Sequence, residues 1–546
     1  MVNGSNDTVR DVRSKEALWR HLSGDDSAVA PWRRALDLWC ARWFWPASAG
    51  GAPSAAEWRA LLAYVVDDDR TLPRSVLASR LRELTGIARE QSFFHWPLEF
   101  PDAFYERDGT PRTRPGFDVV IGNPPWEMLR AEAADRETSH SGSQPRTGRR
   151  NNQALTRFIR ECGAYPSCQR GHINLYQPFV DRALAIARRG GRVGLVLPWG
   201  LASDDGTSML RRRLLEETAI DALAGLDNAA GLFPIHRGMR FLALTASPGG
   251  TTREIRATFG LTKREDLDAL PEPGLHSSST FPVRLTTTQI ESIGGRSRRI
   301  PDIRRPASLR WMERVFGALP RLGAADGWNI QFGRELNATE ARPYLTARGM
   351  PVIEGKHVRP FATDVGTTSQ RLDRATAERM LPSHRFDRPR LAYRDVSAVS
   401  NRVTLIAAIV PPSVVTTHTL LCLKNPPPLV RQQFLCGLFN SYVLNAIVRS
   451  LIGGHVTTTV VEDLPAPVWK NDREQRLVAT LAARLARSWS PHDERRLQAL
   501  VARLYGLSGE EFRDLLESFP LVPSAERDGA LALLRRKTSG RAQPIR

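Results

Sequence analysis

Four consecutive residues, Asn123, Pro124, Pro125 and Trp126, have the types and spacing to act on an aromatic amine. They close a short apolar run, Phe117-Asp118-Val119-Val120-Ile121-Gly122. The exocyclic amine of a nucleobase such as adenine is a poor nucleophile, because its lone pair is delocalised into the ring. A pair of acceptors aimed at its N–H bonds favours the pyramidal, nucleophilic form. The side-chain oxygen of Asn123 can be one acceptor and the backbone carbonyl of Pro124 the other. Consecutive prolines fix φ and restrict the residue before them, so that carbonyl is aimed in advance. Trp126 offers a flat face to a base swung out of a duplex.

Such a loop needs a strand to deliver it. The run before Asn123 suits a buried parallel strand, and α/β sheets bind ligands at the carboxyl ends of their strands. Downstream, the spacing predicts a helix over 174–188 stopped by Gly190 and Gly191, then a strand over 193–197. A helix over 208–217 and strands over 219–226 and 241–245 follow, an alternation that indicates an α/β domain with a largely parallel sheet. Upstream, residues 12–95 read as helices, with Leu18, Trp19 and Leu22, then Trp58, Leu61, Leu62 and Val65, at helical spacing. Residues 296–469 are irregular, with short strands, many Thr residues and several Pro-rich turns, which suits a separate recognition domain. Residues 472–516 are amphipathic and helical, with Leu477, Leu481 and Leu485 on one stripe, and the basic end 537–546 is expected to be disordered.

The tetrapeptide resembles the (D/N/S)-P-P-(Y/F/W) motif of amino-methyltransferases. Gln91-Ser92-Phe93-Phe94-His95-Trp96-Pro97-Leu98-Glu99-Phe100-Pro101 is similar to the segment before that motif in large N6-adenine DNA methyltransferases. These are the type IIG restriction–modification enzymes and the methyltransferases of BREX and DISARM phage defence. Asn174-Leu175-Tyr176 with Phe179, and the run 190–198, resemble the helix and strand after the loop. Pro351-Val352-Ile353-Glu354-Gly355-Lys356, Tyr393-Arg394-Asp395 and Phe439-Asn440-Ser441 resemble elements of their target-recognition domains. The resemblance covers roughly residues 91–515. It implies a partial Rossmann-like class I methyltransferase sheet, a mixed α+β recognition domain and flanking helices. The expected divisions are 1–95 helical, 96–295 catalytic, 296–470 target recognition and 471–546 helical with a basic tail. It also implies double-stranded DNA as partner and S-adenosyl-L-methionine as cofactor, in a restriction–modification or antiviral system.

One expected part is absent from the sequence. Relatives of this kind hold the cofactor with a loop like Asp-Pro-x-x-Gly-Ser-Gly upstream of the catalytic loop, and residues 1–122 contain none. The chain therefore reads as the carboxyl-terminal part of a larger methyltransferase. A second polypeptide would then carry the glycine-rich half. A truncated remnant and a non-catalytic DNA-recognition subunit are the alternatives, and N4-cytosine is the other possible target.

The charge balance fits a polyanionic partner. Lys and Arg number 77 against 58 Asp and Glu, a net +19, although an Arg-rich codon usage alone produces some excess. In the loop expected over 130–170, Arg146, Arg149 and Arg150 are the candidate phosphate contacts. Phe233, in Gly231-Leu232-Phe233-Pro234, could stack on the far face of a flipped base or simply pack in the core. Lys356 belongs to the DNA-contact set. Glu354-Gly355-Lys356 also has the tail of a nuclease site, with Asp326 upstream, but the recognition-domain resemblance covers the same residues. Five scattered cysteines form no CxxC pair, the histidines form no metal motif, and no metal is expected. No run reaches the 18 or so apolar residues that span a bilayer, and the cytoplasm is the expected location.

Overall fold

The amino-terminal stretch is helical as its apolar spacing predicts, and side chains set where the helices begin. The Thr8 hydroxyl accepts from the Asp11 N–H while Asp11 reaches back, opening the helix Val9–Ser23; Ser54 and Glu57 do the same for Ala55–Asp67. The computed structural model describes residues 7–24, 26–46, 51–129, 146–268, 283–381, 383–398 and 401–538. The chain divides into two compact units, Met1–Leu195 with Ala246–Gly250, and Val196–Thr245 with Thr251–Arg546.

In the first unit, helices Ala30–Ala41, Ala55–Asp67 and Arg74–Gln91 bury Leu38, Trp45, Leu61, Leu77, Leu84 and Ile87 together. Each such side chain contributes about 1.5–3 kcal/mol when fully buried. Arg80 sits between Glu57 at 3.3 Å and Glu83 at 3.1 Å, and the Trp45 indole N–H donates to Glu83 at 3.1 Å. His95 Nε2 lies 2.8 Å from Asp37 Oδ1, fastening the following aromatic segment to this bundle. Trp96, Phe100 and Phe104 then meet Phe117 edge-on, with ring centroids at 5.7, 5.3 and 5.8 Å. The aromatic segment thus anchors the start of the strand that carries the loop.

That strand, β1 (Phe117–Gly122), runs parallel to β2 (Ala187–Pro198), with Val119 opposite Arg192 and Ile121 opposite Gly194. The register shifts between Phe117 and Val119, where two glycines let the backbones close up. Gly116 has φ +116°, and a Cβ there would stand 2.5 Å from the Ile186 carbonyl oxygen; one on Gly191 would stand 2.9 Å from the Asp118 carbonyl oxygen. The helix Tyr176–Ile186 has already ended, so Gly190 and Gly191 lie within β2 and do not stop the helix as expected. The expectation of a buried β1 is also corrected. Its second edge has no neighbour among the described residues. Val119 and Ile121, two apart and hence on one face, are 61% and 84% exposed.

In the second unit, β3 (Thr218–Asp227), β4 (Arg240–Pro248), β5 (Glu254–Leu261) and β6 (Val283–Thr286) lie in the order β4-β3-β5-β6. β3 and β5 are parallel, β5 and β6 antiparallel. The helix Ser208–Glu217 and strands β3 and β4 sit where the sequence predicts, whereas β5 and β6 were not foreseen. The stretch read as irregular contains eight short strands in two sheets: β7 (Phe332–Gly333), β8 (Leu345–Thr346), β9 (Met350–Ile353), β10 (Arg371–Leu372), β11 (Arg390–Arg394), β12 (Ala407–Val410), β13 (Val415–Thr416) and β14 (Leu420–Leu423). Their orders are β13-β9-β10-β8 and β12-β11-β14-β7.

Two buried helices, Leu429–Phe439 and Tyr442–Leu451, meet at 63°, and no single helix among the described residues is long and apolar enough to cross a membrane. The helical end is four helices, Arg473–Arg487, Pro491–Leu504, Gly509–Glu517 and Ser524–Thr538. Leu481 and Leu485 are buried on the expected stripe, Leu477 half-buried beside them. Residues 539–546 of the basic tail lie outside the described residues.

Candidate active site

The chain leaves β1 at Asn123, which is exposed; Pro124 is buried, Pro125 exposed and Trp126 half-buried. The exposed Asn123 amide thus stands beside a buried Pro124 ring, and Pro125 restricts the backbone that carries the Pro124 carbonyl. The far side of the loop is tied down by backbone. The Leu175 N–H donates to the Glu127 carbonyl at 2.8 Å, and the Leu129 N–H to the Ile173 carbonyl at 2.9 Å. Asn174 and Leu175, singled out from sequence, therefore act as a clamp on the loop. Leu129 packs with Ile159, Cys168 and Ile173. On β1 itself, Asp118 pairs with Arg188 at 2.5 Å, and this hydrogen bond lowers the carboxyl's pKa.

After the loop, the expected irregular stretch over 130–170 is corrected in part, because Arg146–Glu161 is a helix. Phe158 packs edge-on against Trp43 with centroids at 5.3 Å, and the Trp43 indole N–H donates to Glu161 at 3.1 Å. Arg146, Arg149 and Arg150 fall on the first turns of this helix, and their side chains lie outside the described residues.

In the second unit, Phe233 sits on a turn between β3 and β4. It packs edge-on against Phe241 with centroids 4.9 Å apart, and is half-buried. Both readings of this residue meet there, since one edge is packed and part of the ring is open. The turn is held by Asn228, which is 0% exposed and which sequence reasoning missed. Its Nδ2 donates to the carbonyls of Phe233 and Ile235, each at 3.1 Å, while its Oδ1 accepts the Phe233 N–H at 2.9 Å. The available signal was an Asn three residues before Gly231, whose φ is +79°.

Beside it, the Arg240 guanidinium lies 3.5 Å over the Trp199 ring and pairs with Asp227 at 3.1 Å and Asp302 at 2.5 Å. Burial lowers the Arg240 pKa, and the two carboxylates oppose the shift. Nothing in the sequence marks these partners, which lie 13 and 62 positions from Arg240.

The motifs of the recognition-like stretch prove to be joints. Arg394 Nε donates to the Val358 carbonyl at 2.7 Å, and the Gly355 N–H to Thr419 Oγ1 at 2.9 Å. Asn440 brackets Ala407, donating to its carbonyl at 2.9 Å and accepting its N–H at 3.2 Å. Ser441 caps the helix Tyr442–Leu451. Lys356 alone projects outward from its motif, 2.9 Å from Glu354. That ion pair and the exposed position of Asp326 leave the nuclease-like residues as a surface turn. Among the described residues no group of His, Cys, Asp and Glu could hold a metal ion, and none of the five cysteines forms a disulfide.

Compared with known proteins, residues 65–233 match the Eco57I restriction-modification methylase family. This stretch is similar to a restriction-modification methylase domain. It runs from the amino-terminal helices through the Asn123 loop to Phe233. Among solved structures, the type IIG restriction endonuclease BpuSI aligns over 98% of this chain and 71% of its own, at 13% identity and a TM-score of 0.28. The type IIL restriction-modification enzyme MmeI, solved with DNA, aligns over 88% and 65%, at 13% identity and TM-score 0.40. The type ISP enzyme LlaGI, solved with a DNA substrate mimic, aligns over 77% and 37%, at 11% identity and TM-score 0.38. The chain thus spans 65% of MmeI and 37% of LlaGI. No curated protein matches. The family match supports a methyltransferase role for residues 65–233.

Proposed function

We propose that this chain is the target-base and DNA-recognition part of a site-specific DNA methyltransferase acting on adenine N6, within a restriction–modification or antiviral system. The observation that carries the reading is the exposed Asn123 amide at the carboxyl end of β1, followed by a buried Pro124 and a half-buried Trp126. Asn123 Oδ1 and the Pro124 carbonyl accept from the target amine, and Trp126 stacks on the extruded ring. S-adenosyl-L-methionine supplies the methyl group when bound.

The chain's own residues do not fit that cofactor. The sequence has no glycine-rich loop before Asn123, and the second edge of β1 is open among the described residues. A partner polypeptide bearing that loop completes the sheet beside β1, covering Val119 and Ile121. The residues 296–470 read duplex DNA, and the chain works in the cytoplasm.

Two measurements test this. Calorimetry of the isolated chain with S-adenosyl-L-methionine is expected to show no binding at micromolar concentration; stoichiometric binding would overturn the division into two chains. With the partner supplied, Asn123→Ala should abolish tritiated-methyl incorporation and leave duplex affinity within about twofold, because its role is in kcat. Trp126→Ala should lower the rate only partly, losing a stacking face worth about 1–3 kcal/mol. Wild-type methylation by Asn123→Ala would sink the catalytic assignment.

A further inference from the structure

The second unit holds a cavity of about 760 Å³ that the methylation reading does not use. Its walls include Arg296, Arg298 and Arg321, and Glu291, Glu462 and Asp463. Equal numbers of opposite charges suggest a neutral site, but the hydrogen bonding is unequal. Glu291 pairs with Arg298 at 2.9 Å, and Arg298 also holds Glu216 at 2.7 Å. Glu462 Oε1 accepts the Phe332 N–H at 3.0 Å. Asp463 faces the buried Arg299 at 3.8 Å and feels the charges of Arg321 and Arg296 more weakly, while its own burial outweighs these and raises its pKa, which favours the uncharged form.

The remaining two arginines have donors to spare. Arg321 stacks 4.2 Å over the Phe316 ring and donates from Nη2 to the Ser292 carbonyl. Its Nη1 is buried and has no acceptor. Arg296 is exposed at the cavity and forms no ion pair among the described residues. A buried guanidinium nitrogen without an acceptor costs about 1–3 kcal/mol, more for a charged group, so an acceptor oxygen brought to Arg321 Nη1 would recover that cost.

We infer that this cavity binds a phosphate ester, held by Arg321 from inside and Arg296 from the opening. Guanidinium forks match phosphate oxygens in pairs, which is why arginine suits this ligand. The phosphate can belong to a DNA backbone or to a free nucleotide, and the same chemistry serves both. The cavity's lining residues all belong to the second unit, and its test needs no methyl transfer.

The test uses the full chain, with inorganic phosphate, AMP and a 20-base-pair duplex as probes, titrated by calorimetry and by thermal shift. Arg296→Gln and Arg321→Gln are the variants; the first removes an exposed, unpaired side chain and leaves the fold intact. Binding of phosphate or AMP to wild type, weakened about tenfold or more by each variant, supports a nucleotide site. No binding of either small probe, with duplex affinity reduced about tenfold in Arg296→Gln and a log–log salt slope shallower by about 1, supports a DNA-backbone site. Wild-type behaviour of Arg296→Gln towards all three probes overturns the inference.

Discussion

Asn228→Asp changes no volume, yet it should loosen the turn that carries Phe233. The substitution replaces the Nδ2 donor by a second oxygen. The Phe233 and Ile235 carbonyls, each now 3.1 Å from a donor, would each face an acceptor, while the bond from the Phe233 N–H to Oδ1 survives. Leaving a buried acceptor unsatisfied costs about 1–3 kcal/mol, and one carbonyl of the pair can turn to water, so the expected loss is about 1–3 kcal/mol. At about 2 °C per kcal/mol for a unit of this size, the melting temperature should fall by about 2–6 °C. Differential scanning fluorimetry measures the shift, and amide exchange over 231–236 should accelerate in the same variant. Phe233→Leu serves as the comparison, since it keeps Asn228 and its bonds and removes only the ring. Methyl transfer should fall in both variants, but the exchange rates should rise only in Asn228→Asp. A melting shift under about 1 °C with unchanged exchange would refute the claim that Asn228 holds this turn.

Ile121→Thr should change the isolated chain's stability by no more than about 0.5 kcal/mol, because Ile121 is exposed. Val193→Thr on the neighbouring strand, at a 2% exposed position, should cost about 1–3 kcal/mol in the same chemical denaturation series. Equal losses would mean that β1 is covered within this chain. Duplex affinity should fall steeply with salt, as a net charge of +19 implies several phosphate contacts, and a flat mobility-shift series from 50 to about 200 mM salt would refute that. His455, with Asp395 at 3.6 Å, has its pKa raised by that hydrogen bond. The pair's stabilisation is therefore full below the ordinary histidine value of about 6.5 and is lost as pH rises through the raised value. Proton NMR of the His455 ring should place its midpoint above 6.5, and Asp395→Asn should bring it down; no difference between the two would refute the pairing.

The Asn123 loop stood out as a candidate because its residues are consecutive. Strand, amide, prolines and aromatic are consecutive, and the helices at 55–67 and 208–217 carry their caps or their period within one turn. β5 and β6 were not legible. β5 alternates weakly around Arg256, and β6 is only four residues long, so neither carries a period that separates it from a loop. The burial of β1 was misread for a different reason. Apolar residues report that a strand prefers cover, and they do not report whether this chain provides it. Asn228, Arg240 and Arg321 were missed because their roles rest on partners far along the chain or on a missing acceptor. A polar residue in a sequence looks the same whether it faces solvent or closes a buried network.

The open edge of β1 also bears on how the chain is made and kept. A strand with unpaired N–H and C=O groups and exposed Val119 and Ile121 is a template for pairing with any other extended segment, including β1 of a second copy. Neighbouring charge gives little protection, since Asp118 is already neutralised by Arg188. Were a second chain to cover this edge, as proposed above, synthesis in excess of it would favour aggregation and proteolysis, and a cell would gain by producing both chains together. The same edge makes solubility on co-expression a practical assay, in which a polypeptide that covers β1 keeps this chain in the supernatant.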